Sequence, residues 1–273
     1  MRVHALVVTA LVAGGCQFGG DAAGDNYRCG NGEACPGGQT CVDGWCRSAG
    51  PADASAIDAA GTDDGLVAWY RMESLSAEGA LRDEAGEHHG HCDIEQCPTR
   101  TAGKLEEALE FDGIDDHIRI PDEADFRLAS GTATAWVYYT GSLTGAVVGK
   151  PYGPTDGDAW LMFVDPEAGG GAGVGLEIAG GNSLRSGAAF ELNRWAHLAV
   201  TWSETAKRIY VNGEMVADEP VTATIDYDSH EVLIGTDKDA DALVIPFAGA
   251  IDEVRVYRRE LSAVEIAAEA ASS

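Results

Sequence analysis

From Gly65 onward the chain consists of short apolar runs separated by turn residues at intervals of about 8–12 positions, a spacing typical of a β-sandwich or β-barrel. Strand-like runs do not alternate with long helical patterns, so a parallel α/β sheet is not expected. The segments predicted as strands are 66–72, 108–111, 117–120, 133–139, 146–149, 159–164, 174–178, 196–202, 208–211, 214–217, 231–234 and 249–257. The pattern predicts one all-β domain over residues 65–273.

Two local signals fix details of this domain. Asn212-Gly213 stands between two apolar runs, and Asn-Gly accepts the positive φ values of the type I′ turn that joins hairpin strands. Ser262 followed by Glu265 matches a capping box, and apolar residues recur behind it at helical spacing. The sequence therefore predicts a hairpin at 212–213 and a short helix at 262–270.

Charge and composition exclude several function classes. The chain has 273 residues with 45 acidic and 18 basic side chains, which gives a formal net charge of −27. A nucleic-acid-binding domain concentrates Lys and Arg and usually has a basic pI, so no nucleic-acid partner is expected. The 45% hydrophobic content and 35 glycines indicate a folded, loop-rich protein rather than a disordered acidic tail.

The N-terminus has the features of an export signal. Arg2 and His4 precede an apolar run at 5–13, which is too short to span a bilayer because that needs about 20 residues. Ala-Gly-Gly before Cys16 resembles the lipobox of bacterial lipoproteins, in which the cysteine is acylated and becomes the mature N-terminus. This resemblance implies a lipoprotein of the outer membrane or cell surface that touches the membrane only through its lipid. The alternative is an ordinary signal peptide.

The other cysteines fit an oxidising compartment. Six remain besides Cys16, and four of them lie within the 18-residue stretch at 29–46. Their spacing lacks the paired C-x2–4-C ligands of zinc sites, so disulfides are preferred, in any of three connectivities. The other two are five positions apart and are expected to staple one loop. The predicted disulfide cysteines are Cys29, Cys35, Cys41, Cys46, Cys92 and Cys97.

Several blocks of the sequence, in order, resemble one family. GLVAWYRMES (65–74), ALEFDGIDDHIRIPD (108–122), WAHLAVTWSETAKRIYVNGEMV (195–216), LIGTD (233–237) and AGAIDEVRVYRRELSAVEI (248–266) are similar to the laminin-G-like, concanavalin A-like lectin/glucanase domain. This resemblance implies a two-sheet antiparallel jelly-roll sandwich with a short C-terminal helix, preceded here by a small disulfide-rich segment. The expected organisation is a signal peptide (1–15), a tether (16–28), a cysteine-rich knot (29–46), a linker (47–64) and the laminin-G-like domain (65–273).

Carboxylates on apolar strand faces suggest a calcium site. Asp116 shares strand parity with the apolar residues of the segment 118–120, and Asp252 shares it with Val254 and Val256. A buried carboxylate is costly unless it is paired or bound to a cation, and calcium is the oxygen-preferring ion of extracellular proteins. The family resemblance adds Glu73 and Asp112 as ligands. The alternative is that the inward carboxylates meet backbone N–H groups or nearby arginines.

Catalysis is not expected. A retaining glycosidase of this fold needs two carboxyl groups about 5–5.5 Å apart, commonly as E-x-D-x-E on one strand, and no such pattern occurs in the sequence. The sequence also lacks a G-x-S-x-G nucleophile motif. A hydrolase or lyase with an unrecognised site is the less favoured alternative.

The loop YGPTDGDAW at 152–160 is the candidate ligand site, because turn residues are flanked there by Tyr152 and Trp160. Sugar-binding sites use aromatic faces beside polar groups, although a core position is the alternative for each aromatic. The sequence predicts a surface-tethered, non-catalytic module for carbohydrate recognition or adhesion with a structural calcium. The second hypothesis is a protein–protein interaction module with an envelope protein as its partner.

Overall fold

The computed structural model describes residues 64–154, 157–166, 171–180, 182–240 and 242–272, together with the backbone of three short strands before them. The chain divides into two units, Met1–Thr62 and Asp63–Ser273. In the first unit, β1 (Tyr27–Arg28), β2 (Thr40–Val42) and β3 (Trp45–Arg47) form an antiparallel sheet in the order β1-β3-β2.

The backbone register of this small sheet places Cys41 opposite Cys46. The predicted signal peptide and Cys16, Cys29 and Cys35 lie outside the described residues. The lipidation and the disulfides within 29–46 therefore stay predictions.

The described residues of the second unit form nineteen strands. They are β4 (Leu66–Tyr70), β5 (Ala80–Leu81), β6 (Gly90–His91), β7 (Thr99–Ala102), β8 (Glu107–Asp112), β9 (Ile118–Ile120), β10 (Gly131–Tyr139), β11 (Gly145–Tyr152), β12 (Gly157–Pro166), β13 (Gly171–Ile178), β14 (Asn182–Arg185), β15 (Phe190–Glu191), β16 (Trp195–Trp202), β17 (Ala206–Val211), β18 (Glu214–Pro220), β19 (Val232–Ile234), β20 (Asp237–Asp239), β21 (Ala242–Val244) and β22 (Ala248–Tyr257). The twelve predicted strands are all present, and seven shorter ones join them.

Most of these strands form two antiparallel sheets. Sheet I has the order β18-β17-β16-β10-β22-β8-β7, with β4 also paired to β22. Sheet II has the order β14-β13-β12-β11-β19-β9-β6-β5, with β15 also paired to β13, while β20 and β21 form a separate hairpin. The predicted antiparallel jelly-roll sandwich is confirmed.

The core lies between the two sheets and follows the period-2 alternation of the strands. On β10, Ala133, Ala135 and Val137 belong to the core cluster, whereas Trp136 between them points to the outer face of sheet I. Across the sandwich, Trp160 of β12 stacks on Trp202 of β16 with ring centroids 5.4 Å apart. Each large apolar side chain buried in this way contributes roughly 1.5–3 kcal/mol.

A β-bulge on β22 changes which side its residues face. The register between β10 and β22 shifts at this point, and Glu253 has a φ of 53°. Ile251 and Val254 point into the core, whereas Asp252 stands opposite Trp136 on the outer face of sheet I. The prediction that Asp252 shares the core face with Val254 is therefore wrong, because the bulge interrupts the alternation on which it rested.

The predicted hairpin turn and the predicted disulfide between Cys92 and Cys97 are confirmed. Asn212 and Gly213 have φ values of 50° and 84°, and they join β17 to β18 as a two-residue hairpin turn. Cys92 and Cys97 form a disulfide with their Cα atoms 5.2 Å apart.

Helix α1 (Ala263–Ala271) begins at the predicted capping box. The Ser262 hydroxyl accepts a hydrogen bond from the Glu265 N–H at 3.3 Å, and the Glu265 carboxylate accepts one from the Ser262 N–H at 2.7 Å. Ile266 packs the helix onto the outer face of sheet I against Tyr210 and Tyr257. Among the described residues, no helix has the length and apolar character that crossing a membrane requires.

We expect Ser262→Ala to lower the free energy of unfolding by about 1 kcal/mol, because it removes the side-chain acceptor of the cap. Denaturant unfolding of the purified protein measures this change. Val264→Ala is the matched control: Val264 lies in the same turn, its side chain is 79% exposed, and it should change the stability little. Equal effects of the two variants would contradict a functioning cap.

Candidate functional site

The four residues predicted to bind calcium lie in two separate places. Asp112 pairs with Ala248 at the start of β22, and Asp252 lies four residues further along the same strand. At about 3.3 Å per strand residue this separates them by roughly 13 Å. Glu73 lies near enough to Asp252 for its charge to act on it, while Asp116 accepts a hydrogen bond from the Asp112 N–H. The four residues therefore do not surround one ion.

The Asp252 carboxylate is fully buried and is held by the hairpin between β7 and β8. Its Oδ2 accepts hydrogen bonds from the N–H groups of Lys104 and Leu105, each at 2.9 Å. Its Oδ1 accepts none from the described part of the chain. Glu73 is close by and accepts a hydrogen bond from the Glu107 N–H at 3.2 Å. The sequence also allowed backbone N–H groups, rather than calcium, as the partners of Asp252. One of its oxygens has such partners and the other does not.

Burial controls the protonation of this pair. Desolvation raises the pKa of Asp252 to about 7, against the lowering effect of the two backbone hydrogen bonds. Desolvation likewise raises the pKa of Glu73. The charge of Glu73 also raises the pKa of Asp252, whereas Glu73 itself has a cationic partner in Arg71 at 3.2 Å. A bound cation would favour the ionised form of Asp252.

The other two predicted calcium ligands, Asp112 and Asp116, lie at the turn between β8 and β9. Carboxylate oxygens of Asp112, Asp115 and Asp116 all lie within 4.8 Å of one another. Much of their hydrogen-bonding capacity is used locally: the Asp112 Oδ1 accepts the N–H of Ile114 at 2.8 Å, and the Asp116 Oδ2 accepts the N–H of Asp112 at 2.9 Å. Asp112 and Asp115 are exposed. Asp115 was not among the predicted ligands, although it stands within the same GIDD segment.

The outer face of sheet II carries a continuous row of side chains across seven strands. Their inner-face neighbours, such as Ile118, Val148 and Met162, belong to the core, so this row points away from it. In sheet order the row consists of His91, Arg119, Leu233, Gly149, Leu161, Glu177 and Ser183.

A groove of about 440 Å³ opens on this face. Its lining combines an apolar residue with hydroxyl, imidazole, carboxylate and ammonium groups, a mixture that suits a polar ligand with some apolar surface. The lining residues are Ser229, His230, Glu231, Leu233 and Lys238.

Asp228 connects this groove to the predicted ligand loop. Its Oδ1 accepts a hydrogen bond from the His230 N–H at 3.0 Å and lies 2.6 Å from the His230 ring Nδ1. Its Oδ2 accepts the N–H of Gly153 at 2.8 Å, directly after Tyr152. The loop after β11 and the groove therefore form one hydrogen-bonded unit.

The two predicted ligand-binding aromatics, Tyr152 and Trp160, differ in burial and in position. Tyr152 is half-buried at the end of β11, where its side chain packs against the core cluster, and only the N–H of the following Gly153 reaches Asp228 beside the groove. Trp160 is 0% exposed, and its indole N–H donates to the Phe126 carbonyl at 3.3 Å inside the core. The ligand-binding prediction for Trp160 is corrected, because a register shift between β11 and β12 turns Trp160 and its neighbour Ala159 both inward.

The sequence matches the family described as the concanavalin A-like lectin/glucanases superfamily over residues 112–267. The chain belongs to this superfamily. Members of the superfamily with this fold include glycoside hydrolases and binding modules. No curated protein matches the sequence.

Solved structures show the same superfamily fold at low sequence identity. Domain 4 of an extracellular arabinanase from Geobacillus stearothermophilus has a TM-score of 0.58 and 18% identity, and the match covers 76% of this chain and 98% of that domain. The Trypanosoma rangeli sialidase gives 0.55 and 15%, covering 76% of this chain and 32% of the enzyme. The CBM40 of a Ruminococcus gnavus sialidase gives 0.50 and 21%, covering 60% and 95%.

Proposed function

We propose that the sandwich is a non-catalytic carbohydrate-binding module whose binding site is the groove around His230. The observation that carries this proposal is the 440 Å³ groove on the outer face of sheet II, lined by polar groups beside Leu233 and joined to the Tyr152 loop. Its hydroxyl, imidazole, carboxylate and ammonium groups can exchange hydrogen bonds with sugar hydroxyls. Two fold neighbours also hold sugars: the arabinanase domain holds arabinotriose and the CBM40 holds sialyllactose.

The carboxylates of the groove favour binding over hydrolysis. A retaining glycosidase needs two carboxyl groups about 5–5.5 Å apart that both face the sugar. The groove contains one carboxylate, that of Glu231, while both oxygens of the adjacent Asp228 are engaged by Gly153 and His230. The buried pair Asp158 and Asp237 is 3% and 4% exposed and is closed to a polysaccharide.

A panel of immobilised polysaccharides and oligosaccharides tests the proposal. We expect the purified 60–273 fragment to bind at least one of them without releasing products. His230→Ala should weaken that binding about tenfold or more, since losing one well-placed contact costs about 1.4 kcal/mol. Met215→Ala, an exposed change on β18 of the other sheet, should leave binding unchanged.

The other outcomes of this experiment are equally informative. Product release would establish a hydrolase or lyase. If Met215→Ala and His230→Ala reduce sugar binding equally, the groove is not the binding site. An absence of sugar binding together with co-purification of envelope proteins would favour the protein–protein interaction module.

We also propose that Asp252 and Glu73 hold a structural calcium ion. The unpartnered Oδ1 of Asp252 is fully buried, and the Glu73 carboxylate lies beside it, which suits an oxygen-preferring cation. The ion would neutralise the Asp252 carboxylate, would add to the pairing of Glu73 with Arg71, and would join β22 to the segment after β4.

Calcium should therefore raise the melting temperature of the EDTA-treated protein, because a ligand that binds only the native state adds about 2.7 kcal/mol at about 100 times its Kd. The shift should be smaller in Asp252→Asn and unchanged in Asp112→Asn, which alters the other acidic place. A shift in Asp252→Asn as large as that of the unaltered protein would exclude this site.

Export and anchoring through Cys16 are part of the same proposal. The Cys92–Cys97 disulfide supports an oxidising compartment, where such bonds persist. We infer a lipoprotein of the bacterial outer membrane or cell surface that displays the module for recognition or adhesion.

A further inference from the structure

Two aspartates of sheet II and its hairpin meet in a buried place that sequence reasoning did not find. Asp158 lies near the start of β12 and is 3% exposed, while Asp237 begins β20 and is 4% exposed. Their carboxyl groups are within hydrogen-bonding reach of each other. Neither has a hydrogen to donate when both are ionised, so this contact is repulsive unless something positive lies between them.

The surroundings of this pair are acidic. The charged groups that act most strongly on Asp158 are Asp237, Glu177 and Asp239, and all three are carboxylates. Burial, followed by the charge of Asp237, raises the pKa of Asp158 to about 10. Burial also raises the pKa of Asp237, to about 6, against the lowering effect of the Lys238 N–H. Among the described groups that act most strongly on Asp158, none lowers its pKa.

Two cations of sheet II, Lys150 and Arg185, have partners outside this pair. The buried ammonium of Lys150 binds the Asp122 carboxylate at 2.6 Å and the His230 carbonyl. Arg185 pairs with Asp165 and stacks on Phe163.

Each aspartate also keeps one unsatisfied oxygen. The Oδ1 atoms of Asp158 and Asp237 are both buried, and neither accepts a hydrogen bond from the described part of the chain. A buried oxygen without a donor costs about 1–3 kcal/mol, and more when it carries charge. Carboxylate oxygens are preferred ligands of a hard divalent cation such as calcium, which takes about six to eight oxygens, and these two would supply part of that set.

We propose that Asp158 and Asp237 hold a divalent cation of the calcium type, with Glu177 and Asp239 adding negative charge around it. This site is separate from Asp252, which lies on sheet I, and it does not depend on sugar binding. The proposal assigns the ion to a pair of strands that no backbone ladder joins, because β20 pairs with β21 and β12 pairs with β11 and β13.

The cation would fix the β20–β21 hairpin against sheet II. The hairpin lies beside β11, and at the end where Asp237 pairs with Val244 the following residue, Ile245, packs on Leu161 and Phe163. At the same end, Asp237 is followed by Lys238, which lines the groove. A cation joining Asp237 to Asp158 would tie β20 to β12, so that both strands of the hairpin are attached at this end.

Hydrogen exchange of the full chain, stripped with EDTA and then given Ca²⁺ at constant pH, tests this inference. We expect calcium to slow amide exchange in the segment 238–243 by about tenfold or more, since binding to the closed form suppresses local opening. Asp158→Asn and Asp237→Asn should abolish this protection, while Asp252→Asn should keep it. Both asparagine variants preserve side-chain size and remove repulsion, so they should fold and should be at least as stable as the unaltered protein in EDTA.

Two results would overturn the inference. One is exchange in 238–243 that calcium leaves unchanged. The other is protection that Asp158→Asn retains. If, without metal, lowering the pH from 8 to 5 raises stability in the unaltered protein but not in Asp158→Asn, and calcium has no effect, the pair shares a proton instead. Loss of sugar binding alone would concern the groove and not this site.

Discussion

Gly249→Ala is expected to lower the free energy of unfolding by about 3 kcal/mol or more. Gly249 has a φ of 132°, which side-chain-bearing residues rarely adopt. A Cβ atom there would lie 2.1 Å from the Tyr138 carbonyl oxygen and 3.1 Å from the Thr140 nitrogen. Both are backbone atoms of the neighbouring segment, and Gly249 sits in β22 between Tyr139 and Phe111. The clash can be relieved only by separating strands at the centre of sheet I.

Denaturant unfolding and the melting temperature both measure this effect, which for a domain of this size corresponds to a fall of roughly 6–12 °C. Gly153→Ala is the matched control, because Gly153 also has a positive φ, 84°, but nothing lies within 4 Å of the added Cβ. It should cost only the left-handed strain of about 1–2 kcal/mol. If the two substitutions cost the same, the close approach of β22 to β10 does not determine the stability.

The elements that the sequence predicted are those in which one local rule decides the outcome. The long strands show alternation over enough residues to be recognised, and the cap at Ser262 and the turn at Asn212-Gly213 are set by residues next to one another in the chain. The seven missed strands are mostly two to four residues long, such as β5 and β20, which is too short for a period of two to be visible.

The side that a residue faces was less predictable than the strand that contains it. The bulge at Glu253 moves Asp252 to the outer face, and the irregular pairing of β11 with β12 moves Trp160 into the core. The bulge at Glu253 has no glycine or proline at the shifted position, whereas the shift that turns Trp160 falls at Pro151, a residue that cannot donate to the strand ladder. One extra residue in a strand reverses every later assignment, so parity arguments are safe only up to the first bulge.

The candidate sites were harder to predict from the sequence than the face that a strand residue occupies, because tertiary structure brings their residues together. Asp158 and Asp237 are 79 positions apart, and nothing in either segment indicates that the hairpin beginning at Asp237 lies on sheet II. The groove likewise combines residues 229–231 with Leu233 and Lys238, which a strand and a hairpin bring together. The signal that could have indicated Asp158 is its place directly before a fully buried apolar run, where a carboxylate requires a partner.

Trp160→Ala should be the other strongly destabilising substitution, with an expected loss of about 3–5 kcal/mol. The indole is 0% exposed, stacks on Trp202 at 5.4 Å and donates its N–H to the Phe126 carbonyl. Its removal leaves a cavity between the sheets and an unpaired carbonyl, and the rigid strands on either side cannot close around it. Denaturant unfolding, followed by near-UV circular dichroism of the remaining tryptophans, measures both the stability and the loss of the stacked pair.

Trp195→Ala is the control for Trp160→Ala, because Trp195 is half-buried at the start of β16 and contacts Tyr138 on the outer face of sheet I. It should cost much less. The comparison also separates the two roles considered for Trp160. A core residue lowers the melting temperature and leaves sugar affinity unchanged in whatever fraction remains folded. If Trp160 instead binds the ligand, its substitution weakens the sugar affinity and leaves the melting temperature unchanged. That result would place Trp160 in the binding site and would contradict its packing against Trp202 in the core.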